Sequence, residues 1–383
     1  MIEVNCKKHR IERECDGAIV KITSVMEESG SAEYHVMITT TLAGESFSRQ
    51  LDSIVRAYDE TAFLLGRRVR PVFKRYFLSD AANQFKSLPT SDECAVSVVE
   101  QPPLDGTKIA LWAYFVEGAE RVSTKSGLNA VAHGNYLHLW QGGACAPDLK
   151  SEVATRALLM DYSLKLEDEG CSLADNCART WFFVHDVDVN YAGVVKGRNE
   201  MFKVSGLTKD THYIASTGIN GCHADSRVSV AMDTYSIKGL KPGQMGYLYA
   251  PEYLNPTYEY GVAFERGTYI DYGDRRHVFI SGTASINNRG EVEHKGDIRL
   301  QTLRMWKNVG ALLNEGGCGW DEVCHMIVYL RDIADYGVVK EMFDTEFPTV
   351  PKVIVLAPVC RPEWLIEMEC AAVVETETQY DVF

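Results

Sequence analysis

The strongest constraint on this chain is that it repeats itself. "LEDEGCSLADNCARTWFFVHDVDVNYAGVV" begins at Leu166, and "LNEGGCGWDEVCHMIVYLRDIADYGVV" begins at Leu313. In both, a Cys follows the Leu by five residues and a second Cys follows the first by six. Each segment then enters an aromatic, β-branched run that ends in Val184-His185-Asp186 or Leu330-Arg331-Asp332. Tyr191 or Tyr336 follows, and then a helical pattern holding Phe202 or Phe343. Ahead of the last copy, Ile298, Thr302, Met305, Trp306, Val309, Leu312 and Leu313 keep a helical period that stops at Gly316-Gly317. A weaker copy lies near the N-terminus. There "FSRQLDSIVRAYDETAFLLG" reads as the helix, and "VFKRYFLSDAANQF" as the strand and following turn.

Each unit is expected to run hairpin, helix, strand, helix, strand, strand. The implied fold class is α+β: tandem units of about 100–120 residues, each a mixed β-sheet covered on one face by helices. The units are expected at 1–120, 130–245 and 246–383, the last including a connecting loop and the main site. Residues 118–133 read as the first connection. "LKPGQMGYLYAPEYLNPTYEYG", rich in Gly, Pro and Tyr, reads as the second and as a functional loop.

Composition narrows the function. A net charge of −14 argues against binding to a nucleic-acid backbone. The opening "MIEVNCKKHRIERECDG" lacks the apolar core of a signal peptide, and no stretch approaches the ~20 apolar residues of a membrane span. A soluble, cytoplasmic protein without membrane or nucleic-acid partners is expected. The eleven cysteines form no C-x-x-C pair, so no zinc ribbon is expected. Cys222-His223 and Cys324-His325 are neighbours that a strand would turn to opposite faces. With no P-loop and no dinucleotide fingerprint, neither metal nor cofactor is expected.

One strand carries the chemistry. In "CRPEWLIEMECAAV", residues 360–373, Glu367 and Glu369 share a face of an otherwise apolar strand. A carboxyl partly desolvated there has a raised pKa and acts as a proton donor near neutrality. Glu369 is either a second such group or the partner of an Arg or Lys at the sheet edge. Small anionic substrates need cations. Arg266 and Arg361 could serve, unless they are surface residues paired with Glu265 and Glu363. Arg198 of "KGRNEMF" could reach over from the second unit. Gly282, Thr283 and Ser285 follow a strand, where they either offer N–H groups and hydroxyls to a carboxylate or simply form a turn.

"HVFISGTASINNRGEV", "QTLRMWKNVGALLNEGGCGWDEVCHMIVYLRDIADYGVVKEMFDTEFP" and "WLIEMECAAV" resemble the RidA/YjgF superfamily, often labelled endoribonuclease L-PSP. The resemblance spans about 277–373, and the earlier copies share it more loosely. It implies the chorismate-mutase-like fold of that group, in which three chains form a trimer with sites in the clefts between subunits. Three repeats in one chain then imply an intrachain pseudo-trimer, and a monomer or dimer rather than a homotrimer.

A narrower series, "STGING", "LNP", "FERG", "ISGTASI", "HKGD" and "VCRPEWLIEMEC", resembles the chorismatases. Asn287-Asn288 and "TYEYGVAFERG" depart from that pattern. This likeness implies hydrolysis of an enolpyruvyl ether by one acid, Glu367, and one water. It also places Cys360 against the substrate; alternatively, Cys360 is a small residue in a tight turn before Pro362. The alternatives are an imine or enamine deaminase of the RidA kind and a non-catalytic binding protein. RidA deaminases hold the substrate carboxylate with an Arg shortly after a Phe-Pro. Here Lys352 or Val353 stands at that place. Only the third copy carries the Glu-x-Glu strand, so at most one of three clefts is expected to be chemically complete.

Overall fold

The computed structural model describes residues 7–26, 31–90 and 93–383. They form three six-stranded mixed sheets with the same strand order. Unit 1 holds β1 (Lys7–Cys15), β2 (Ala18–Met26), β3 (Glu33–Thr40), α1 (Phe47–Leu65), β4 (Val69–Leu78), α2 (Ala81–Gln84), β5 (Ala95–Glu100) and β6 (Ile109–Glu117). Unit 2 holds β7 (Glu120–Val122), β8 (Asn129–His133), β9 (Tyr136–Cys145), α3 (Ser151–Asp168), α4 (Leu173–Asn176), β10 (Cys177–Val184), α5 (Val187–Val204), β11 (Ala215–Asn220) and β12 (Val230–Lys238). Unit 3 holds β13 (Met245–Leu248), β14 (Gly267–Asp271), β15 (Arg275–Ala284), α6 (Ile298–Glu315), β16 (Val323–Leu330), α7 (Tyr336–Glu346), β17 (Lys352–Leu356) and β18 (Ile366–Glu375).

In every unit an antiparallel meander meets a central strand (β6, β12 or β18), and two parallel strands finish the far side. The meander has three strands where the sequence led us to expect a hairpin. Residues 118–133, read as a connection, carry β7 and β8, and the start of the second connection carries β13. The long helices behave as their periods dictate. Ser46 caps α1 by accepting from the Arg49 N–H, and Asp297 caps α6 by accepting from the Leu300 N–H. Met305, Val309 and Leu312 of α6 are fully buried against the sheet. Among the described residues, no helix is long and apolar enough to cross a membrane.

The units contact one another cyclically. β5 packs on β9, β11 on β15 and β17 on β3, so unit 3 closes back on unit 1. Isolated bridges mark the same three seams: Glu100 with Cys222, Ala215 with Glu265, and Pro103 with Val355. Strand register places the units in correspondence. Leu330 pairs with Ile366, Val184 with Val230 and Leu78 with Ile109, each at the end of its strand. Leu78-Ser79-Asp80 is therefore the first copy of the Val-His-Asp and Leu-Arg-Asp endings.

Candidate active site

The seam between units 2 and 3 gathers most of the residues singled out above. A cleft there is lined by Arg198, Arg266, Gly282, Cys360, Arg361 and Glu367, with Tyr191, Ser216, Tyr260, Phe264 and Trp364 among the walls. Unit 2 supplies α5 and β11. Unit 3 supplies β15, β18 and the loop before β14.

Glu367 sits near the start of β18, paired with Tyr329 of β16 and Ala284 of β15. Its residue surface is 5% exposed. Burial, helped by the negative charge of Glu369, pushes its carboxyl up to about 8, against the pull of Arg179 and Arg266. The group therefore holds its proton at neutral pH. Gly282 makes room for it, because a Cβ there would collide with the Glu367 Oε1.

Three guanidinium groups face this acid. Arg198 lies on the buried face of α5 with Val194 and Phe202, at helical spacing. Gly197 lets α5 approach α3 closely, since a Cβ would sit 2.6 Å from the Glu152 carbonyl oxygen. Arg198 is 1% exposed, yet among the described residues only Nη1 has a partner, the Ser216 hydroxyl at 3.5 Å. Its Nε and Nη2 are buried without one. Arg266 donates through Nη2 to the Asn255 carbonyl at 2.9 Å, and its Nε is likewise unpartnered. Arg361 stacks on Tyr260 and Trp364, each ring centre 4.8 Å away. Neither Arg266 nor Arg361 is a surface residue paired with its neighbouring Glu. Glu363 instead pairs with Lys295. Buried donors without acceptors are costly, and both of these guanidinium groups line the cleft.

Two expected residues turn away. Thr283 and Ser285 alternate with Gly282 and Ala284 and face outward from the cleft. Their hydroxyls donate to the Ser281 and Glu293 carbonyls. Ser285 acts instead through its own carbonyl, which accepts from Trp364 Nε1 at 3.1 Å. Cys360 does line the cleft, but burial and the charge of Glu367 push its thiol up to about 12. At neutral pH it is therefore a thiol and not a thiolate nucleophile.

Glu369 is not at a sheet edge. It is buried at the seam, where Arg179 Nη2 (2.8 Å), Trp181 Nε1 (2.8 Å) and the Thr217 hydroxyl (2.5 Å) of unit 2 all donate to it. Thr217 also accepts the Gly282 N–H at 2.9 Å. The pair of carboxylates thus divides its work: Glu369 locks the units together, and Glu367 faces the cleft.

Among the described residues, the neighbouring seams lack the acid. Register puts Ala231 and Ala110 at the positions of Glu367. Asp233 corresponds to Glu369 and is held by Arg75 of unit 1 at 2.8 Å. At the third seam Trp112 takes that position, and His325 stacks on it at 4.3 Å. An interior cavity also holds a buried acid, Glu33, but His277, Arg275 and Tyr114 saturate it. Burial opposes its ionisation, yet the neighbouring His277, His35 and Arg275 side chains hold it well below the usual carboxylate range.

The position after Phe347-Pro348 also needs correction. β17 faces unit 1, so Lys352 never meets Glu367; it pairs with Asp344 at 3.1 Å. The strand opposite Glu367 is β11 of unit 2. Lys352 pairs with Met326 and Ser216 pairs with Thr180, so Ser216 is the counterpart of Lys352 in this cleft. The cation beside it comes from α5, as Arg198.

Residues 265–374 match the family model described as Endoribonuclease L-PSP. A RutC family protein of Pyrococcus abyssi is 33% identical over 126 residues, 32% of this chain and 90% of that protein. The 3-aminoacrylate deaminase RutC of Acinetobacter baylyi is 27% identical over 97 residues, 25% of this chain and 77% of that protein. A chorismatase crystal structure superposes with a TM-score of 0.64 at 18% identity, covering 79% of this chain and 93% of that one. At that identity the likeness is one of fold.

Proposed function

The chain belongs to the RidA/YjgF superfamily, and on that premise we propose that the cleft between units 2 and 3 hydrolyses the enolpyruvyl ether of a small carboxylated substrate. The observation that carries this reading is a proton-bearing Glu367 set among three guanidinium groups, two of them with unpartnered buried donors. Arg198, Arg266 and Arg361 would bind the substrate carboxylates. Glu367 gives its proton to the methylene carbon, turning the enol ether into an oxocarbenium ion. Water adds to that cation, and the adduct collapses to pyruvate and the free alcohol. The proton lost by the water restores Glu367.

The test is direct. Pyruvate released from chorismate, followed by NMR, supports the reading; an intact substrate with tight binding supports a ligand-binding protein instead. The likeness to a 3-aminoacrylate deaminase favours a second reading, an imine or enamine deaminase using the same acid and a water. Ammonia release from a freshly generated 2-aminoacrylate would identify it.

The cationic clamp makes its own prediction. Arg266→Ala is expected to raise KM or Kd for a carboxylate ligand by about tenfold or more, the range for losing one charged hydrogen bond. Arg266→Lys should recover only part, because an ammonium cannot form the planar fork. Unchanged affinity in Arg266→Ala would remove this residue from the clamp.

We also propose that the three units form an intrachain pseudo-trimer. The cyclic seams support this, and the ring then needs no further copies. Light scattering should give 42.8 kDa or twice that mass. An obligate homotrimer would overturn the assignment.

A further inference from the structure

We propose that a second pocket, beside the cleft, binds a small protonated amine. It is built where the loop before β14 meets the loop before β11, and Glu265, Tyr213, Tyr249, Tyr258, Leu254 and Lys209 are among its walls. Glu265 is 6% exposed. One carboxyl oxygen accepts the Tyr213 N–H at 2.7 Å. Among the described residues, no side chain or backbone donor reaches the other oxygen.

The nearby cations do not satisfy it. Arg266 follows Glu265 in sequence, but its Nη2 is engaged by the Asn255 carbonyl and by Asn255 Oδ1, at 2.9 and 3.2 Å. Lys209 is exposed at the rim. His212 gives its Nδ1 proton to the Tyr213 carbonyl at 2.8 Å, and its Nε2 meets the Tyr247 hydroxyl at 3.2 Å. A buried carboxyl with one open oxygen, bounded by tyrosine rings, fits an alkylammonium group. The oxygen accepts a charge-assisted hydrogen bond, and the ring faces add cation–π attraction. Arg266 lines both this pocket and the cleft, but Glu265 takes no part in the chemistry proposed for the cleft.

Proton linkage makes the proposal measurable. Burial pushes the Glu265 carboxyl up to about 7, opposed by the Tyr213 N–H and by Arg266. At pH 6 the group is mostly protonated, so binding an ammonium ion must release a proton. At pH 8 it is mostly ionised and little is released. Calorimetric titration of the full chain with ethylammonium chloride should therefore show affinity about tenfold higher at pH 8 than at pH 6. At pH 6, and not at pH 8, the apparent enthalpy should depend on the buffer's ionisation enthalpy.

Glu265→Gln keeps the oxygen that accepts from Tyr213 and should lose at least tenfold in affinity for ethylammonium. Tyr258→Ala, at a half-exposed wall position, should weaken binding by a smaller factor. Ethylammonium binding that is equal in Glu265→Gln and the parent would overturn the proposal. So would a pocket that takes acetate and not ethylammonium.

Discussion

Glu367→Gln is expected to fold and to bind carboxylate ligands as the parent does, and to lose about 10²–10⁴ in rate. Gln fills the same volume beside Gly282 but has no proton to give to carbon. An unchanged kcat would exclude Glu367 as the acid. The pH dependence is a second readout. With its carboxyl pushed up to about 8, the acid form dominates at neutrality, and the rate should fall about tenfold per pH unit above that value.

Stability should move with the same group. A raised folded pKa means the folded state binds more protons than the unfolded chain between the ordinary value of 4.5 and about 8. Stability from this group is therefore greatest below 4.5 and declines as pH rises to about 8. Glu367→Gln lacks that slope, so its thermal midpoint should gain on the parent's between pH 5 and pH 8.5. Parallel midpoints across that range would contradict the burial of an ionising Glu367.

The repeat was legible in sequence because it rests on spacing that packing enforces. The paired cysteines and the Asp closing each strand fall at fixed points of the unit, and Leu78-Ser79-Asp80 completes the series. β7 was not legible because Glu120, Arg121 and Val122 are all exposed and show no apolar alternation. The acid and the three arginines could be named from residue type and resemblance. Which wall would face them could not, because it depends on contacts between units. Sequence alone therefore places Lys352 or Val353 after Phe347-Pro348 without showing that Ser216 and Arg198 of unit 2 line the cleft of Glu367. For Thr283 and Ser285 a signal did exist. If Gly282 and Ala284 line a cleft, a period of two sends their neighbours the other way.

The second large effect is expected at the lock between units 2 and 3. Arg179 is 2% and Glu369 3% exposed, and they meet at 2.8 Å with Trp181 and Thr217 completing the carboxylate's partners. Glu369→Ala removes one charge and leaves the Arg179 guanidinium buried, with the Arg75 guanidinium also close at hand. Breaking a buried pair in this way costs roughly 3–5 kcal/mol, a large share of the ~5–15 kcal/mol that holds a typical domain folded. Replacing both partners with apolar residues, as in Arg179→Met with Glu369→Leu, should recover part of the loss, because the Arg179 charge is no longer stranded, while Trp181 Nε1 and the Thr217 hydroxyl still lose their acceptor. Urea unfolding of the single and double variants separates the two outcomes. A single variant within about 0.5 kcal/mol of the parent, the scatter of surface substitutions, would show that the pair is not a lock. The single variant Glu369→Ala has a further consequence for the cleft, since it removes the charge of Glu369 while keeping the opposing pull of Arg179. The charge of Glu369 helps keep Glu367 protonated, so its removal should shift the alkaline limb of the rate profile to lower pH. A limb that stays in place would mean that the charge of Glu369 has no part in setting the acidity of Glu367.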